Sequence, residues 1–116
     1  MSNRIGLLLL AMMLSSAVGL RAELRVGMAE ATKAAVVKPR PEYSAIARKV
    51  RITGEVVVDA HVTESGDVED VTVVSGNAML TQSVVVTVKK WKFTPFTENG
   101  APAKAVANLR FNFTLE

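Results

Sequence analysis

Residues 91–102 read Trp91-Lys92-Phe93-Thr94-Pro95-Phe96-Thr97-Glu98-Asn99-Gly100-Ala101-Pro102 and hold the chain's only tryptophan, two of its four phenylalanines and two of its four prolines. Pro95 cannot continue a helix or a strand ladder, and Asn99-Gly100 is a turn signal because both residue types tolerate positive φ. The chain must therefore change direction here. How this corner is read decides what the segment before it is, and with that the fold.

After the corner, Ala107, Leu109, Phe111, Phe113 and Leu115 alternate with Val106, Asn108, Arg110, Asn112 and Thr114. That pattern predicts a long strand with an aromatic inner face. Before the corner, residues 78–90 carry two patterns at once. Val84, Val86 and Val88 alternate as in a strand, and the segment is dense in β-branched residues; Leu80, Val84, Val88 and Trp91 recur at helical spacing. Propensity favours a strand and spacing a helix, so on pattern alone both readings stay open.

Further upstream, Val56, Val58, Ala60 and Val62 alternate with Glu55, Asp59 and His61, predicting a strand with one buried and one wet face. Residues 63–67 supply a turn with Gly66 where positive φ is needed, and residues 68–75 return as a second strand. Val68 is out of phase with Val71 and Val73, which calls for a bulge near Glu69 or Asp70. Pro39-Arg40-Pro41 forces an extended approach to a short helix capped by Ser44, with Ala45, Ile46 and Val50 as its apolar side. Residues 23–38 read as weak helix or flexible lead-in.

At 116 residues and 49% apolar, the chain suits one small domain. Arg4, the apolar run 5–14 and the small residues Ser15, Ser16, Ala17 and Gly19 stand in the order of a secretory signal peptide, expected to span 1–22. The run to Val18 is too short to cross a bilayer easily, which favours cleavage over a membrane anchor. With no cysteine, the domain forms neither disulfides nor thiolate metal sites. Without Arg4 and Arg21, 12 basic residues face 11 acidic ones, a balance that argues against nucleic acid as partner. Basic residues 33–51 and the acidic residues 55–70 read as helical segments beside an acidic hairpin.

Little here supports catalysis. His61 is the only histidine and falls on the wet face of its strand, and no nucleophile, base and orienting group can be assembled. Glu64, Asp67, Glu69 and Asp70 match no calcium loop and read as a solvated turn; no metal and no cofactor is expected. The lysines around Trp91 suit a helix C-terminus.

Gly54-Glu55-Val56-Val57-Val58, Gly66-Asp67-Val68, and Trp91-Lys92-Phe93-Thr94-Pro95 followed by Gly100 and Pro102 stand in this order over residues 39–116. In that arrangement the chain resembles the C-terminal domain of the TonB family of periplasmic energy-transducing proteins. The resemblance implies an α+β domain: a three-stranded antiparallel sheet with two helices packed on one face, so that residues 78–90 are helix. It departs from the family in Ser44, where a proline usually follows the tyrosine, and in the valine content of the second helix.

The resemblance also implies a function. In the family the last strand is an edge that holds an extended segment of an outer-membrane transporter by strand addition, a non-enzymatic role in the periplasm. By position, Arg40, Pro41, Glu42 and Tyr43 would make side-chain contacts, and Asn108, Arg110 and Asn112 the strand contacts; Arg110 can equally serve as a charge that guards the edge. The alternative is a self-assembly module, a homodimer pairing through the same edge without energy transduction.

Overall fold

The computed structural model describes residues 23–115, and the expected signal peptide, 1–22, lies outside them. In chain order the elements are β1 (Leu24–Val26), α1 (Met28–Ala34), β2 (Ala35–Val37), α2 (Ala45–Lys49), β3 (Gly54–Val62), β4 (Val68–Ser75), α3 (Ala78–Val88), β5 (Lys92–Phe93), β6 (Thr97–Glu98), β7 (Ala101–Pro102) and β8 (Ala105–Phe113).

The centre is the antiparallel pair β3 and β8, in unbroken register from Gly54 opposite Phe113 to Val62 opposite Ala105. That register puts Val56, Val58, Ala60 and Val62 on the same face as Ala105, Ala107, Leu109 and Phe113, all buried. The alternation in both strands is the cause: with a period of two, one face becomes continuous hydrocarbon and the other carries Asp59, His61, Asn108 and Arg110. On the other side of β3, β4 pairs antiparallel. His61 opposes Asp70 while Val62 opposes Val68, so Glu69 is the extra residue of the expected bulge. A second shift, at Val74, had no sequence signal.

The ambiguous segment is helix α3. Asn77 caps it, its side-chain oxygen accepting the Met79 N–H at 2.9 Å, and Leu80, Val84 and Val88 are its buried stripe. Burying three large side chains against β3 and β4 outweighs a β-propensity worth a fraction of a kcal/mol per residue. In α2 Ser44 caps as expected, its Oγ accepting the Ala47 N–H at 3.2 Å. Its apolar side is not the expected one. Ile46 and Val50 are exposed, and the buried residue is Ala47. A five-residue helix offers one inward position, here Ala47, whose carbonyl also accepts the Ile52 N–H at 2.8 Å.

The main sheet has four strands, in the order β1-β8-β3-β4, rather than the expected three. The added strand comes from residues read as weak helix or flexible lead-in. β1 runs parallel to β8, with Leu24, Arg25 and Val26 opposite Ala105, Val106 and Ala107. β2 pairs with β5, and Val26 and Ala31 are buried in the common core. No local pattern foretells a three-residue strand, because its hydrogen bonds are all made to a distant element.

The corner at 91–102 joins these layers. Trp91, Phe93 and Phe96 are buried and adjoin one another, with ring centroids 6.0 and 5.6 Å apart, and Trp91 meets Phe111 edge-on at 5.8 Å. Asn99 and Gly100, both at positive φ, form the two-residue turn between β6 and β7. The tip of the β3–β4 hairpin docks on the same corner: Phe93 N–H donates to the Gly66 carbonyl at 2.9 Å, and Lys92 Nζ lies 2.7 Å from Asp67 Oδ1. The Lys92 hydrogen bond and charge, helped by Ser65, hold the Asp67 carboxyl below its ordinary range. Since the folded value is the lower one, the contribution is fully present above the ordinary aspartate pKa and is lost as pH falls through the lowered value. Carboxyl NMR titration should show Asp67 moving back up in Lys92→Met; an unchanged midpoint would mean that Lys92 is not the cause.

Candidate functional site

The extended approach to α2 lies beside the end of β8 and is fixed by two hydrogen bonds to neighbouring segments. Trp91 Nε1–H donates to the Pro39 carbonyl at 3.0 Å, and the Tyr43 hydroxyl donates to the Ile52 carbonyl. The Tyr43 ring stands edge-on to Phe113, centroids 5.2 Å apart, with the Arg48 guanidinium over the ring at 5.8 Å from its centroid. Between approach and strand lies a cavity of about 410 Å³ lined by Arg40, Pro41, Tyr43, Arg110, Phe111, Asn112 and Phe113.

Five of the seven residues nominated from the sequence thus meet at one place: Arg40, Pro41, Tyr43, Arg110 and Asn112. The other two lie elsewhere. Glu42 lines a groove between α2 and α3, with Ile46, Met79 and Val86. Asn108 sits on the polar face of the sheet and donates to Asp59 Oδ1 at 3.0 Å. Phe111 and Phe113, expected as core bulk, also form a wall of the cavity. Their alternation gave the core role, and nothing in the sequence gave the second.

Backbone geometry sets what this edge can do. The odd-numbered residues of β8 face β3 with their N–H and C=O groups, so the even-numbered ones point the other way. Two contacts fix this direction: the Lys104 carbonyl accepts from Leu24 N–H at 3.1 Å, and Arg110 N–H points to Met28 Sδ at 3.4 Å. Strand pairing by β1 ends at Ala107. The Val26–Ala107 partnering still faces Asn108 N–H with the Val26 carbonyl; beyond it no described strand pairs with the outer side of β8, and Arg110 and Asn112 turn their main-chain groups outward there. The expectation that the last strand is a free edge is corrected in its first part, because β1 and α1 cover the strand as far as Arg110.

The side chains above the edge are polar and only partly paired. Arg110 Nη1 is 3.3 Å from Glu55 Oε1 with both groups about half exposed, a contact worth little on its own. His61 Nε2 lies 3.0 Å from Thr72 Oγ1, and its Nδ1 is 3.8 Å from the Glu23 carboxylate. Among the described residues, no three His, Cys, Asp or Glu side chains converge as metal ligands. No described helix is long and apolar enough to cross a membrane.

The family model described as Gram-negative bacterial TonB protein C-terminal matches residues 39–115. The fold is similar to the solution NMR structure of Pseudomonas aeruginosa TonB CTD, with a TM-score of 0.59 and 27% sequence identity, over 71% of this chain and 85% of that one. No curated protein matches at a comparable standard.

Proposed function

Because this chain belongs to the TonB C-terminal family, whose members are non-enzymatic, transport-associated interaction domains of the Gram-negative periplasm, we propose that it binds an extended segment of an outer-membrane transporter. Binding is by edge-strand addition to β8, in TonB-dependent transport across the cell envelope, after export directed by residues 1–22. The observation that carries this reading is the outward-turned main chain at the end of β8, where Arg110 N–H meets only the Met28 thioether and Asn112 is exposed, set beside a cavity between Arg40, Tyr43 and Phe113. Main-chain pairing supplies affinity in such a mode, and the side-chain pocket supplies selectivity.

Titrating the chain with transporter N-terminal peptides should shift the backbone amides of residues 105–114; no shift at any peptide concentration would sink the reading. Arg110→Pro makes a sharper test. Its N–H lies on the side away from β3, so proline there removes no β3–β8 hydrogen bond but denies one to an added strand. Peptide affinity should fall at least about tenfold, equivalent to ~1.4 kcal/mol, with the fold retained. Unchanged affinity in a folded Arg110→Pro chain would place the binding site away from this edge.

A further inference from the structure

Residues 24–37 use the surface that an added strand would need. β1 pairs along the outer side of β8 up to the Val26–Ala107 partners, and α1 follows along the same edge, where Met28 Sδ is the acceptor for Arg110 N–H. The segment is then fastened at its far end: Thr94 N–H donates to the Ala34 carbonyl at 2.9 Å, and β2 pairs Ala35 with Phe93. Val26 at 5% exposure and Ala31 at 0% are its two buried anchors. The whole segment lies before the region matched by the family, 39–115.

We infer that residues 24–37 are an intramolecular latch on the edge of β8, which an extended partner must displace to pair along the full strand. The inference rests on the proposed strand addition only for what the latch excludes; its occupancy of the edge stands by itself.

The physical chemistry of the contacts sets the order of release. A thioether is a weak acceptor, so a carbonyl arriving at Arg110 replaces Met28 with a better partner. Beyond Arg110, at Asn112, the edge is already uncovered, which makes this end the place where an incoming strand starts. Continuing toward Ala105, it meets α1 and then β1. The ion pair between Arg25 and Asp59, 3.8 Å apart with the arginine three-quarters exposed, holds little. The anchors are apolar: with Val26 and Ala31 out of the core, the three-residue pairing of β1 has nothing to keep it in place. While the latch is closed, the affinity of any competitor for this part of the edge is reduced by the fraction of chains that are open. A tethered segment has a high effective concentration, so that fraction is small.

The test uses the full chain and a synthetic peptide copying residues 23–37 as the probe. Val26→Asp puts a carboxylate in the buried anchor position and should release the latch in cis. The peptide is then expected to bind this variant at least tenfold more tightly than the unsubstituted chain, shifting the amides of Ala105, Val106, Ala107 and Arg110. A second form guards against loss of folding. Arg25→Cys combined with Val106→Cys, facing each other across β1 and β8 in a chain with no other cysteine, locks the latch when oxidised. Oxidised, this form should bind the peptide at least tenfold more weakly than Val26→Asp or, if that variant does not fold, show no amide shift that reduction fails to enhance. Equal binding to oxidised and reduced forms, or no binding to any form, overturns the latch.

The two readings fail separately. A transporter peptide that ignores Val26→Asp while the 23–37 peptide binds it counts against the transporter and leaves the latch standing. A transporter peptide that binds the oxidised and reduced forms alike removes the latch alone.

Discussion

Gly66→Ala is expected to destabilise the domain by about 4 kcal/mol, from backbone strain and steric overlap together. Gly66 has φ +90°, and a Cβ built there would lie 1.9 Å from the Phe93 carbonyl oxygen. The obstacle is main chain, so no side-chain rotation relieves it. Either the hairpin tip lifts from the corner, losing the Phe93 N–H to Gly66 carbonyl bond and the contact of Lys92 with Asp67, or β5 moves and takes the buried Phe93 with it. Gly100→Ala is the control: φ is +81°, but nothing lies within 4 Å of the added Cβ. Its cost should be strain alone, about 1–2 kcal/mol. Urea midpoints at unchanged m-value measure both. A Gly66→Ala protein no less stable than Gly100→Ala would contradict the docking of the hairpin on the corner.

Trp91→Ala should cost about 3–5 kcal/mol, the range for removing a large buried aromatic side chain. Trp91 is 4% exposed, meets Phe111 edge-on and packs beside Phe93. It also reaches across 52 residues to hold the Pro39 carbonyl, and so ties core stability to the placement of Arg40 and Pro41. Trp91→Phe separates the two effects. It keeps most of the apolar bulk and loses the hydrogen bond, worth ~1 kcal/mol in stability. Peptide affinity in Trp91→Phe should fall further than its small loss of stability suggests, because the approach to α2 is then held to β8 chiefly through Tyr43. Equal affinity in Trp91→Phe and the unsubstituted chain would show that the position of Pro39 does not matter to binding.

Much of the candidate site was legible in the sequence, but unevenly. The period-two alternation of residues 105–115 places Asn108, Arg110 and Asn112 on one side of one strand whatever else the chain does. The two prolines at 39 and 41 make an extended approach for reasons equally local. That the two segments meet was not a local matter: it depends on the Trp91 contact with Pro39 and on the ring of Tyr43 against Phe113. Glu42 shows the limit of carrying a role by position. It is adjacent in sequence to Pro41 and Tyr43, yet it lines the groove between α2 and α3 and not the cavity beside β8.

By itself the sequence determined the elements whose signal repeats along the chain or sits in special backbone chemistry: the alternating strands β3 and β8, a bulge near Glu69 or Asp70, the Ser44 cap, and the turns at Gly66 and Asn99-Gly100. Each follows from sterics or periodicity within a few residues. Tertiary structure alone decided the rest. Residues 78–88 are helix because Leu80, Val84 and Val88 are buried against the sheet, a gain larger than their preference for strand. Residues 24–37 are ordered because β8 and β5 offer unpaired main-chain groups and the core has room for Val26 and Ala31. A segment with weak propensity takes the structure its neighbours complete, and here that structure covers part of the edge on which binding depends.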